Sequence, residues 1–486
     1  MKPSFPAVLA ALAALSLVAG TPAPPREPPD PPARGLTPFH DEPSTGPVGS
    51  ELTFDAGALG ALERLQAPEA CVDGRSAGVF PCRGIELTGF VSLERLQSGA
   101  RSGSNLWGFV DLDDHREYAV MGLNTGTAIV DVTDPASPRV VGAIRGPTST
   151  WREVKVHQRW NAGRNRHDAW AYVVSEAPTA GLQVIDLSDL PASISHVATF
   201  GGFDTAHTLF LANVDPGSGA ANVEDVAPVL YVEGSNEGFL ALDVSDPVAP
   251  RISGRLLNSY VHDVWAGVFR GFRAGRCGPG HDPCEVVADW GGDALRLVDF
   301  TDKRSPVVLS ALQYDELGYA HSGWISRDGN YLFSFDEGDE LVRGGNSRIR
   351  VVDISDLAFP RVAAVWTSST LAIEHNGYVV GDRLYVSHYE RGVTVLDVST
   401  PTAPREIAFF DTYPASDDAR FHGAWGVYPF LPSGTILVSN IDGAGGLFVL
   451  THEVQASAPP GDPPRPPVIP VAPRDRVARP VRTLSR

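Results

Sequence analysis

Apolar and polar residues alternate in short runs along most of the chain, and one such run recurs with a fixed ending. An alternating apolar stretch reaches an aspartate, then one apolar residue, then serine or threonine, usually with proline close behind. The aspartates are Asp131, Asp186, Asp243, Asp299, Asp353 and Asp397, followed two residues later by Thr133, Ser188, Ser245, Thr301, Ser355 and Ser399. Period-two alternation of β-branched residues suits a half-buried strand, while the aspartate and hydroxyl side chains can bond turn amides. Further apolar runs precede and follow each copy, as at residues 228–233 and 138–142, which predicts four strands per unit. A degenerate seventh copy ends at Thr451 instead of aspartate. Units of 44 to 57 residues with four strands each are the mark of propeller blades. The expected fold is therefore all-β, a seven-bladed β-propeller with the blade count settled to within one.

The last unit lacks a fourth strand, whereas the run 85–93 stands before the first unit with no unit of its own. It is expected to close the propeller as the outer strand of blade seven, protecting an otherwise open edge. The loop bounded by Cys71 and Cys82 would brace its entry.

Composition adds an address. A lysine at position 2 and an apolar run from Ala7 to Ala19 predict a cleaved signal peptide over 1–21. A Pro-rich, irregular linker over 22–70, the propeller over 71–454, and a disordered Pro/Arg-rich tail over 455–486 complete the expected division. No run is long and apolar enough for a transmembrane helix, and no surface anchor is evident in the tail. The protein is expected to be secreted or periplasmic in a bacterium. Two close cysteine pairs, Cys71 with Cys82 and Cys277 with Cys284, read as local disulfides, with metal ligation as the alternative. A formal charge of -19 opposes a nucleic-acid partner.

These repeats resemble the LVIVD repeat, and their arrangement looks like the choice-of-anchor B proteins, exported bacterial proteins named for their varied surface anchors. The resemblance is carried from residue 70 to 452 by the Cys71/Cys82 pair, Trp107-Gly108, Trp151-Arg152-Glu153, Ala206-His207 and His262-Asp263. It continues through His321-Ser322-Gly323-Trp324, the acidic run 336–340, Glu374-His375-Asn376, the stretch 410–414 and Gly423-Ala424-Trp425-Gly426. It implies a propeller and no particular activity.

Candidate chemistry lies in the strands expected to begin each blade. Aligning them gives Trp107, Glu153, His207, His262, His321, His375 and Trp425, one per blade at the repeat period; His157 is an alternative to Glu153 in blade two. Four histidines beside a carboxylate would hold a first-row transition metal if their nitrogens meet at about 2.0–2.2 Å from one ion. The competing reading is a hydrogen-bonded polar network, with Asp263, Asp204 and Glu374 as partners for the imidazoles. A second candidate site, for calcium, is Asp336, Glu337, Asp339 and Glu340. No marked hydrolase, zincin, phosphate-loop or dinucleotide motif occurs. The leading expectation is a binding module for an unidentified protein, glycan or small molecule. The alternative is a metal-dependent enzyme with Glu153, Asp263 or Glu374 as general base.

Overall fold

The computed structural model describes residues 60–62, 65, 67–256, 260–442 and 445–453. The expected signal peptide, most of the linker and the tail lie outside them. Seven antiparallel sheets form a β-propeller. Blade 1 comprises Gly103–Val110, Glu117–Leu123, Gly126–Asp131 and Arg139–Arg145. Blades 2 to 5 follow in the same order, beginning at Arg152–Asn161, Thr208–Ala212, Asp263–Phe269 and Ala320–Ile325. Blades 6 and 7 begin at Gly377–Val380 and Ala424–Tyr428. These first strands pack on one another in a complete ring around the axis.

The recurring aspartate ends the third strand of each of the first six blades, where it accepts the amide two residues on at 2.8 to 3.1 Å. That bond shapes the turn into the fourth strand. In the same six blades the third and fourth strands slip register by one residue, just before the aspartate. The fourth-strand partner at the slip is always small: Gly142, Ala198, Gly254, Ser310, Ala364 or Ala408. Space explains the choice, since a Cβ on Gly142 would lie 2.6 Å from Ile194 of blade 2, and one on Gly254 only 1.7 Å from the Lys303 carbonyl of blade 4.

Closure follows the same rule. Ile85–Ser92 pairs antiparallel with Gly446–His452 as the outer strand of blade 7, with the same slip, and Gly89 occupies the small position. A Cβ there would stand 2.3 Å from the Pro135 carbonyl of blade 1. Because this strand arrives from far upstream, no short turn needs an aspartate. Thr451 takes that place and bonds to Thr88 at 2.8 Å and Glu86 at 3.0 Å.

The Cys71–Cys82 loop does more than brace the entry. Glu69 exchanges backbone bonds with Leu87 on the closing strand. Beyond it, Arg75–Ser76 and Phe80–Arg83 add to the outer edge of blade 6, making a six-stranded sheet. Both disulfides form, Cys71 to Cys82 and Cys277 to Cys284. No helix among the described residues is long and apolar enough to cross a membrane.

Gly89→Ala is expected to destabilise the propeller by about 1–3 kcal/mol through overpacking. Gly201→Ala, where the added carbon meets nothing within 4 Å, is the control and should leave the urea midpoint unchanged.

Candidate functional site

Each imidazole of the ring stands at or just before the first strand of its own blade, and three of the four are oriented by the backbone of the next. His262 Nδ1 meets the carbonyl of His321 at 3.1 Å, His321 Nδ1 that of His375 at 3.1 Å, and His375 Nδ1 that of Trp425 at 2.7 Å. A carbonyl only accepts, so Nδ1 carries the proton and Nε2 holds the lone pair in the neutral ring. His207 differs, with Nδ1 2.7 Å from Glu176. The rings follow one another at tilts of 45 to 50°, with centroids 4.5 Å apart for His207/His262, 4.2 Å for His262/His321 and 4.6 Å for His321/His375. Trp425 and Trp151 continue the arc.

The equivalent positions in blades 1 and 2 are not those aligned from sequence. Ser104, Thr208 and Ser322 bond the carbonyls of Arg152, His262 and His375 in the next blade. The histidine position is therefore Gly103 in blade 1 and Arg152 in blade 2. Glu153 sits one residue deeper, where it still borders the histidine cavity. Trp107 lies four residues deeper, packed against Tyr378, Tyr428 and Phe430 in an aromatic floor. His157, the alternative in blade 2, bonds the Gly219 carbonyl at 2.9 Å and is remote from the histidines. Longer blade-1 and blade-2 strands hid these shifts from a count of residues.

Two small cavities lie along the axis, of ≈ 10 Å³ beside the histidines and ≈ 20 Å³ beneath them, measured for the centre of a water molecule. Each has room for about one water or ion. Glu153 and Asp263 border both. Glu153 accepts from Asn105 and pairs with Lys155, whose ammonium lies 4.3 Å over Trp107. Burial pushes the Asp263 carboxyl up to about 7, aided by Glu153 and opposed by Lys155. Buried Glu233 is raised well above the usual range for the same chief reason, with Asp263 adding to it.

The acidic run 336–340 divides in three. Asp336 is a backbone hub, accepting from Tyr319 N at 2.5 Å, Gly318 N at 3.0 Å and the Tyr314 hydroxyl at 3.0 Å. Glu337 instead turns to the histidines, its oxygens 3.4 Å from His321 Nε2 and 3.7 Å from His375 Nε2. Tyr389 donates to the same carboxylate at 2.6 Å. Its backbone sits at φ +27°, a sparsely populated region for a bulky side chain. His321, Glu337 and His375 are all buried and can bring their ligand atoms within 4.8 Å of one another. Asp339 and Glu340 join Glu374 in a separate buried group. Burial raises Glu374 to about 8 and raises Glu340 as well, with neighbouring carboxylates adding to both.

Both halves of the group formed by His321, His375 and Glu337 are legible in the sequence, but there they stand apart as a histidine ring and an acidic loop. Glu374, expected as an imidazole partner, belongs to the second carboxylate group, and Asp204 is replaced as the partner of His207 by Glu176. Glu176, Tyr389 and Lys155 went unnoticed. None carries a repeat signal, because each reaches the axis from outside the aligned position.

Two segments, residues 117–145 and 378–412, match the LVIVD repeat. No curated protein matches the chain. Among solved structures, the chain is similar to a candidate 6-phosphogluconolactonase from Bacteroides uniformis. The identity is 10%, over 68% of this chain and 88% of that one, with a TM-score of 0.43. It is likewise similar to a protein from Lactobacillus plantarum at 13% identity, over 70% and 88% of the two chains, with a TM-score of 0.44.

Asp263→Asn is expected to raise the melting temperature more at pH 8 than at pH 5. A carboxyl whose pKa is higher folded than unfolded supports the fold fully below its ordinary value of 3.8 and loses that support as pH rises to about 7. The amide carries no such penalty, so the parent and variant melting curves should diverge across that window.

Proposed function

We propose that the chain is an exported binding propeller that holds a first-row transition-metal ion at its axial mouth, between His321, His375 and Glu337. The observation that carries this reading is the orientation of the imidazoles. His321 and His375 give Nδ1–H to backbone carbonyls and turn Nε2 to one carboxylate, itself held by Tyr389. Fixing one ring nitrogen on a carbonyl is how a metal-binding histidine is oriented, and two histidines with one carboxylate suit Zn²⁺ or Fe²⁺ with positions left open. A lone-pair nitrogen facing a carboxylate needs a cation or a proton between them.

Export is supported by the leader-like sequence at 1–21 and by two disulfides. The order of the non-repeat residues, from the Cys71/Cys82 loop to Trp425, supports membership of the choice-of-anchor B proteins. The binding partner, a protein, glycan or small molecule, would meet the loops around the histidine end, which the buried ion holds in place.

A metal-dependent enzyme is the second reading, favoured by Asp263, raised to about 7 by burial beside the same cavity and so suited to a general base. Size argues for binding. A cavity of ≈ 10 Å³ admits an ion or a water but no organic substrate unless the mouth opens.

Elemental analysis of the mature protein, purified without chelators, should find about one first-row ion per chain. A His321→Ala/His375→Ala variant that remains folded should lose it. Retained ion should leave as pH is lowered, because protons compete with the metal for the ligand atoms. A folded parent that takes up no metal even on reconstitution would leave the histidines as a hydrogen-bonded framework.

A further inference from the structure

We propose that Asp339, Glu340 and Glu374 form a second, separate site for a hard divalent cation, calcium being the best match, and that this ion fastens the loop after blade 5's second strand to the segment entering blade 6. The proposal goes beyond the histidine-centred reading and does not depend on it.

The three side chains are 0%, 4% and 0% exposed. Asp339 and Glu340 stand on the short helix Asp339–Arg343, and Glu374 comes from the segment just before Gly377–Val380. Their ligand oxygens can lie within 4.8 Å of one another. Asp339 Oδ1, both Glu340 oxygens and Glu374 Oε2 meet no N–H or hydroxyl donor, so the contacts between Glu340 and its two carboxyl neighbours need a shared proton or a shared cation. A buried carboxylate in that state is costly to ionise, and a proton or a cation must relieve it.

The local charge favours a divalent ion. Asp336, Asp339, Glu340 and Glu374 are faced by Arg350 and Arg348, both of which pair with Asp339 through Oδ2. With all four ionised, as a bound cation would require, four carboxylates against two guanidiniums leave two negative charges, and Arg348 is shared with Glu316 as well. The donor set is oxygen alone, which suits calcium's tolerance of irregular, carboxylate-rich coordination rather than the imidazole preference of the neighbouring centre. Gly318 permits the loop to pack this tightly, since a Cβ on it would meet the Asp339 nitrogen at 2.4 Å.

Position gives the ion a role. Glu374 precedes His375 and Asp339 follows Glu337 by two residues, so an ion here would hold two of the three members of the axial centre in place without touching that centre. It would act as a positioning site.

The test uses the full mature chain stripped with EDTA. Equilibrium dialysis against calcium should show about one ion per chain with a dissociation constant no weaker than the millimolar range of extracellular calcium sites. Glu340→Gln, folded by circular dichroism, should bind at least about tenfold more weakly. The His321→Ala/His375→Ala variant should keep its calcium, which separates this site from the transition-metal centre. Terbium emission excited through the tyrosines near the loop, and displaced by calcium, reads the parent chain without any substitution at the site. The proposal is overturned if the folded parent takes up no calcium and terbium gives no displaceable emission, which would mean that the cluster holds protons. Equal calcium affinity in folded Glu340→Gln overturns it too.

Discussion

The pairing of Ile85–Ser92 with Gly446–His452 holds the ring of blades shut, and the other contacts of the propeller presuppose it. A blade is a small twisted sheet that covers its faces only by packing on its neighbours, so an unclosed array would leave two faces and a strand edge to solvent. Here the two ends of the described ring of blades meet in one sheet. The Gly89 position and the Thr451 bonds show that the borrowed strand meets the same spatial demands as the six native fourth strands.

That circular constraint also makes the candidate site. Every imidazole from His262 to His375 spends Nδ1 on the backbone of the following blade, so the bond that ties neighbouring blades together also aims Nε2 toward the axis. Imidazole orientation and ring closure are one arrangement. Glu337 enters from outside the ring, on a loop shaped by Asp336 and held by Tyr389.

Buried acid is the cost of this design. Asp263 and Glu233 below the histidines, and Glu340 and Glu374 beside them, are all raised chiefly by burial. Such groups are kept where they orient, hold ions or carry protons, since apolar residues would fill the same space at less expense in stability. Asp289 and Asp411, raised by burial elsewhere in the blades, show that burial alone does not mark a site.

The sequence by itself determined the repeat, the strand count, the closing strand and the four histidines, because these depend on local periodicity and on residues recurring at one period. Even the small residue at the slip is legible once the blades are aligned, from Gly142 to Ala408. Tertiary structure alone decided the rest. Aligning Trp107 and Glu153 with the histidines failed because hydrogen bonds between blades, not residue counts, fix which positions share a height. Glu337, Tyr389 and Glu176 reach the histidines through loops of irregular length, and Asp336 and Glu337, neighbours in sequence, point to different tasks because a strand ends between them. Periodicity reports what a blade repeats, whereas a site assembled from what the blades do not repeat becomes visible only when the ring has closed.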